Sequence, residues 1–132
     1  MSNTTLSIVI LNYNCLNVIK ECLNSFERYP PQTDYEIIIV NNDDNHQDFN
    51  NFSDHYPSIK FVQNTGNWGF SHGCNLGADN AIGDYLLFLN PDIQLTSSPA
   101  IDTMINFAQK NPNVGITSCR KINPKGNPER EI

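Results

Sequence analysis

Three short segments carry side chains whose types and spacing can do chemistry. Asn90-Pro91-Asp92 follows an apolar run. A hard divalent cation takes oxygen ligands, and a magnesium-type site uses one or two carboxylates together with substrate phosphates. Asp92 offers a carboxylate and Asn90 an amide oxygen, with Pro91 stiffening the turn between them. An ordinary strand-to-turn junction uses the same residue types. The stretch Asn67-Trp68-Gly69-Phe70-Ser71-His72-Gly73-Cys74-Asn75-Leu76-Gly77 has glycines at every fourth position. On a helix they form a smooth strip that admits a ligand, or a sheet, at close range. His72 in the same stretch is a candidate phosphate donor or simply an exposed side chain. The third segment is Asn41-Asn42-Asp43-Asp44. Its amides and carboxylates can read a base or a ribose, or solvate a turn. Tyr13 offers a flat face for stacking a base or for packing.

The elements that position these segments follow from hydrophobic spacing. Residues 6–13 are a β-branched apolar run and predict a buried strand. Leu16, Ile19, Leu23 and Phe26 recur at helical steps and predict a helix over 15–28, stopped by Pro30-Pro31. Residues 35–40 predict a second strand. Phe49, Phe52 and Tyr56 suggest a short helix within 45–57, and residues 59–62 a third strand. The glycine-rich stretch becomes helical after Phe70, and 84–89 predict a fourth strand. Ser98 before Pro99 is a helix start, with Ile101, Met104, Ile105 and Ala108 on its apolar face. Residues 114–119 predict a fifth strand, and the segment from 120 is polar and frays. Strands alternating with helices predict a three-layer α/β/α sandwich with a mostly parallel sheet. Ligands bind such sheets at the carboxyl ends of the strands. Three polar clusters lie at those ends: Asn12-Tyr13-Asn14, Asn41-Asn42-Asp43-Asp44 and Asn90-Pro91-Asp92.

Composition narrows the function classes. The chain has 132 residues, a formal net charge of -6 and only eight Lys and Arg. Nucleic acid is not an expected partner, because phosphate backbones select basic patches. No apolar run approaches the ~20 residues of a membrane helix, and residues 1–5 lack a secretion signal, so a cytoplasmic location is expected. The four cysteines match no zinc spacing and are expected to be reduced. Asparagine is in excess, at 20 residues. Asn12-Tyr13-Asn14-Cys15 stands where a dinucleotide-binding fold needs its glycine fingerprint. No phosphate-loop sequence, receiver-type acidic cluster or nucleophile elbow is present.

Together the segments resemble the N-terminal half of a family 2 inverting glycosyltransferase of the GT-A fold, in particular its rhamnosyltransferase-like branch. The matching pieces are Ser7-Ile-Val-Ile-Leu-Asn-Tyr-Asn14 and Tyr35-Glu-Ile-Ile-Ile-Val-Asn-Asn42. They continue in Asn67-x-Gly-Phe-x-x-Gly-x-Asn-x-Gly77 and Gly83-Asp-Tyr-Leu-Leu-Phe-Leu-Asn-Pro-Asp92. The resemblance implies a nucleotide-diphospho-sugar donor contacted by Asn12, Tyr13 and Asn14, by Asn41 and Asn42, and by Asn67, Gly69, Phe70, Gly73, Asn75 and Asn90. It implies Mg2+ or Mn2+ held on the donor diphosphate by Asn90 and Asp92. Two residues depart from the family pattern. Asn41 stands where an aspartate usually holds the base, and Asn90 replaces the first aspartate of D-x-D.

The implied chemistry is a direct displacement with inversion, in which a carboxylate base deprotonates a saccharide or lipid-linked acceptor. No acid after Asp92 matches that base: Asp102 lies in a helix, and Glu129 and Glu131 are at the end of the sequence. The expectation is a donor-binding domain over 1–120, with 121–132 a flexible tail or the start of an acceptor region. The base and the acceptor half are then expected beyond Ile132. Peripheral association with a membrane surface is a further expectation, and oligomeric state is open. The alternative is a non-catalytic nucleotide-binding or interaction module of the same fold.

Overall fold

The computed structural model describes residues 4–97 and 99–129. Four strands and four helices alternate. They are β1 (Leu6–Asn12), α1 (Leu16–Arg28), β2 (Tyr35–Asn41), α2 (His46–Ser53), β3 (Lys60–Gln63), α3 (Phe70–Asp79), β4 (Tyr85–Leu89) and α4 (Pro99–Lys110). The sheet order is β3-β2-β1-β4 and every pairing is parallel. Ser98, the expected helix start, lies outside the described residues, as does Glu131.

β1 and β2 are apolar on both faces because both faces are covered. Leu6, Ile8 and Ile10 of β1 and Ile37 and Ile39 of β2 pack on one face against Ile19, Leu23 and Phe26 of α1, Phe49 of α2, and Ile101 and Ile105 of α4. Val9, Ile38 and Val40 occupy the other face, against Leu76 of α3. This is the expected three-layer sandwich. The glycine strip explains how α3 lies so close: a Cβ on Gly77 would stand 2.3 Å from Val9 Cγ1. Burial of each large aliphatic side chain contributes about 1.5–3 kcal/mol, so the β1–β2 pair with α1 is the energetic centre.

Polar ties hold the ends of the sandwich. Ser7 Oγ, fully buried, donates to Glu36 Oε1 at 2.6 Å and accepts the Gly83 N–H at 2.9 Å, while Glu36 Oε1 also accepts the Ile82 N–H at 2.8 Å. Asp102 of α4 reaches the loop before β2, accepting from the Gln32 N–H at 3.0 Å and from the Thr33 N–H and hydroxyl at 2.7 and 2.6 Å. Burial pushes the Asp102 carboxyl up, but these three bonds outweigh it and hold it below the usual carboxylate range. A carboxyl depressed in the folded state stabilises above its unfolded value near 3.9, and that stability is lost as pH falls through the folded value. Asp102→Asn is therefore expected to be less stable than wild type at pH 7 in urea unfolding. The difference is expected to shrink by pH 3; a constant difference contradicts the assignment.

The expected fifth strand is a correction. Residues 114–119 join no ladder, and Ile116 is 92% exposed. The alternation of Val114, Gly115 and Ile116 is a strand pattern, yet a strand exists only through a neighbour, and no described residue pairs with this segment. Beyond it, Ile122 and Pro128 form a single antiparallel bridge around a turn closed by the Gly126 N–H on the Asn123 carbonyl at 2.8 Å. Leu86 and Phe88 of β4 are apolar and exposed on the α3 face, where α3 covers β1 and β2 instead.

Candidate functional site

Because all four strands run the same way, their carboxyl ends meet along one edge. Asn12, Asn41 and Gln63 lie in register across β1, β2 and β3. β4 ends at Leu89, opposite Ile10, so Asn90 and Asp92 leave the sheet beside the end of β1. The glycine loop before α3 hangs over the same edge.

The floor of this crevice is made of amides. Asn12 Nδ2 donates to Asn41 Oδ1 at 2.7 Å, and Asn41 Nδ2 donates to Gln63 Oε1 at 3.0 Å and to the Asp43 carbonyl at 3.1 Å. Asn12 Oδ1 accepts the Cys15 N–H at 3.2 Å, which starts α1. Asn12 and Asn41 are 1% and 0% exposed, so they offer almost no surface to a ligand. Buried polar groups persist only when paired, and these are. The Asn41 amide donates twice, which a carboxylate cannot do. That is the physical sense of asparagine at the position where the family pattern has aspartate.

The exposed layer sits above this floor. Tyr13 is exposed, and Asn14 adopts φ +52°, a left-handed conformation that asparagine tolerates. The Asn14 N–H donates to Asp43 Oδ2 at 2.9 Å, and the Asn45 N–H to Asp43 Oδ1 at 3.1 Å. Asp43 thus ties the turn after β1 to the end of β2. Asn67, Phe70 and Asn75 are exposed, as is His72, whose ring lies 6.3 Å from that of Trp68. Gly69 holds φ +86°, which favours glycine. Gly73 is buried against the sheet: a Cβ there would stand 2.8 Å from Asn42 Nδ2 and 3.0 Å from Leu11 Cδ2. Its glycine therefore serves the approach of α3 rather than a surface in the crevice.

Asn90 and Asp92 are both exposed, in a turn closed by the Ile93 N–H on the Asn90 carbonyl at 3.2 Å. The charge of Asp92 is felt along α1, at its N-cap Cys15 and at Cys22 within it. Burial first, and then Asp92, pushes the Cys22 thiol up to about 11. Burial also raises Cys15, with Asp43 and Asp92 adding to the effect against a hydrogen bond from the Tyr13 backbone. Both carboxylates thus act on the Cys15 thiol at the N-cap of α1. α1 and α3 both start at this edge with no acidic residue in the first turn. Their free N–H groups favour an anion there.

No group of three or more His, Cys, Asp or Glu among the described residues is arranged to hold a metal ion. One carboxylate and one amide oxygen do fit a cation that arrives with a diphosphate and keeps phosphate and water ligands. The site suits a metal–diphosphate pair, not a metal alone. Beside it an open groove of about 640 Å³ runs between α1 and α2 and shares Asn14, Cys15 and Asp43 with the crevice. No helix of the described residues is long and apolar enough to cross a membrane.

Comparison with known proteins identifies the scaffold. Residues 7–131 match the family model described as glycosyl transferase family 2. The chain belongs to glycosyltransferase family 2. Its match to the poly(ribitol-phosphate) beta-glucosyltransferase of Bacillus spizizenii is 32% identical and covers 94% of this chain and 20% of that protein. A teichoic acid poly(glycerol phosphate) polymerase of Staphylococcus epidermidis is 29% identical over 70% of this chain and 13% of its own length. This family 2 chain thus spans a fifth or less of these relatives. Neither is named a rhamnosyltransferase. Among solved structures, S. aureus TarS 1–349 superposes with a TM-score of 0.67 at 21% identity, over 82% of this chain and 33% of that one. The mannosyltransferase PcManGT of Pyrobaculum calidifontis, solved with GDP-Man and Mn2+, gives a TM-score of 0.67 at 16% identity, over 78% and 32%. At these identities the likeness is one of fold, and that fold is GT-A.

Proposed function

We propose that this family 2 domain binds the donor of a glycosyltransferase that moves a sugar from a nucleoside-diphosphate sugar to a saccharide or polyol-phosphate polymer with inversion. The observation that carries this reading is the convergence of Tyr13, Asn14, Asp43, the 64–70 loop and the Asn90–Asp92 turn on one crevice, at the carboxyl ends of the strands. TarS, solved with UDP-GlcNAc, and PcManGT, solved with GDP-Man and Mn2+, support a nucleotide-sugar donor. The relative named a poly(ribitol-phosphate) beta-glucosyltransferase supports the acceptor class.

The chain's own residues divide the work. Tyr13 presents a ring to the base, and Asp43 and Asn14 line its edge. The amide floor keeps water and side-chain motion out of the base of the crevice. The free N–H groups of α1 and α3 face the diphosphate. Asn90 and Asp92 would hold Mg2+ or Mn2+ against it; such an ion neutralises charge on a departing diphosphate. Asp102 is not a base here, since its carboxylate binds Gln32 and Thr33 before β2, at the opposite edge of the sheet. Amide chemical shifts on adding UDP, GDP or dTDP with Mg2+ test this placement. Changes are expected at residues 12–15, 41–45, 64–70 and 90–93. Changes confined to the opposite edge, around Asp34 and Asp84, contradict it.

A further inference from the structure

Asn42, the residue after β2, does more than leave the strand. It is 4% exposed, and its backbone N–H donates to the Asn12 carbonyl at 2.8 Å. Its side chain joins two points of the glycine loop. Asn42 Nδ2 donates to the Gly69 carbonyl at 3.2 Å, and Asn42 Oδ1 accepts from Asn64 Nδ2 at 2.8 Å. Asn64, also 4% exposed, accepts the Thr65 N–H on its own Oδ1 at 2.8 Å. The relay runs from a backbone N–H at Thr65, through two amides, to a backbone C=O at Gly69.

Its polarity is fixed at both ends. A backbone N–H only donates and a backbone C=O only accepts. Asn64 must therefore turn its oxygen to Thr65 and its nitrogen to Asn42, and Asn42 must turn its nitrogen to Gly69. A carboxylate at either position cannot make its outgoing bond. It places oxygen against oxygen in a buried site, where an unmet polar group is costly. The glycine at 73 leaves the space in which the Asn42 amide sits, and Gly69 holds the φ that turns its carbonyl inward.

We propose that Asn42 is a positioning residue: its amide, working through Asn64, latches the 64–70 loop onto the end of β2 and sets the height of Asn67, Trp68 and Phe70 over the crevice. The functional half of this statement rests on the donor-site reading above; the latch itself does not.

The test separates the two. Trp68 is the single tryptophan of the chain and stands exposed in the loop, its indole N–H on Thr65 Oγ1 at 3.2 Å. Its fluorescence anisotropy and the hydrogen exchange of amides 65–70 report the latch without any ligand. In Asn42→Asp, exchange at 65–70 is expected to accelerate about tenfold and anisotropy to fall, with β1 and β2 amides still protected. Asn64→Asp, which breaks the relay from the loop side, is expected to do the same and decides the matter if Asn42→Asp does not fold. Loop exchange and anisotropy unchanged in the variants that fold overturn the latch. Where wild type binds a nucleoside diphosphate with Mn2+, both variants are expected to weaken it about tenfold; affinity unchanged with a loosened loop overturns the positioning role. Wild type binding no nucleotide removes the donor reading and leaves the latch measurable.

Discussion

Gly83→Ala is expected to lower the melting temperature by about 10 °C or more, against almost no change for Gly115→Ala. A Cβ on Gly83 would stand 2.6 Å from the Ser7 backbone nitrogen and 2.7 Å from the Leu6 carbonyl carbon, whereas one on Gly115 meets nothing within 4 Å. A flexible side chain yields to such a contact, but the backbone of a central strand does not. β1 is paired on both sides, to β2 and to β4. Pushing Gly83 away also strains the Ser7–Glu36 tie that receives its N–H. Overpacking of this kind costs about 3 kcal/mol, a large share of the ~5–15 kcal/mol that holds a domain folded. Thermal unfolding followed by circular dichroism measures it. Equal shifts for the two variants contradict this account of why glycine precedes β4.

The largest functional effect is expected from Asp92→Ala. Asp92 is exposed and makes no structural tie to the core, so the fold should survive intact. The residue is the one charged oxygen ligand that the turn supplies, since its companion is the neutral amide of Asn90. Loss of a charge-assisted contact costs about 1.5–3 kcal/mol, roughly ten- to a hundredfold in affinity. The loss should appear only with metal present, because without metal Asp92 faces the diphosphate as a like charge. Nucleotide affinity with Mn2+ is therefore expected to fall to the metal-free level in the variant. A variant that keeps the full metal dependence of wild type shows that Asp92 is not the ligand.

The fold was largely legible from spacing. Leu16, Ile19, Leu23 and Phe26 placed α1, and Phe49 and Phe52 placed α2, because each apolar stripe has a sheet face to cover. Residues 114–119 misled for the complementary reason: periodicity reports what a segment can bury, not whether a partner strand is there. The site was legible as a set of positions rather than as contacts. Motif order located the strand ends, yet it could not separate floor from surface. Asn12 and Asn41 proved to be satisfied by one another across 29 residues of sequence. Asp43 emerged as the link between β1 and β2 through its bond to the Asn14 N–H. Asn64, three residues ahead of the glycine stretch, had no signal of its own, because its partner Asn42 lies 22 residues away. Such pairings come from strand register, which composition does not encode. Four of the asparagines, Asn12, Asn41, Asn42 and Asn64, have a cause in the relay and the floor. At Asn41, Asn42 and Asn64 one side chain must donate and accept at once, out of contact with water.

The most direct measurement is calorimetric titration of the chain with UDP, GDP and dTDP, each with and without Mn2+, beside Mn2+ alone. A site that offers one carboxylate and one amide holds the ion only together with a diphosphate. The predicted result is saturable heat for at least one nucleotide with Mn2+, much weaker binding without it, and none for Mn2+ by itself. No heat with any of the three nucleotides in the presence of Mn2+, or equal affinity with and without the ion, contradicts the donor site.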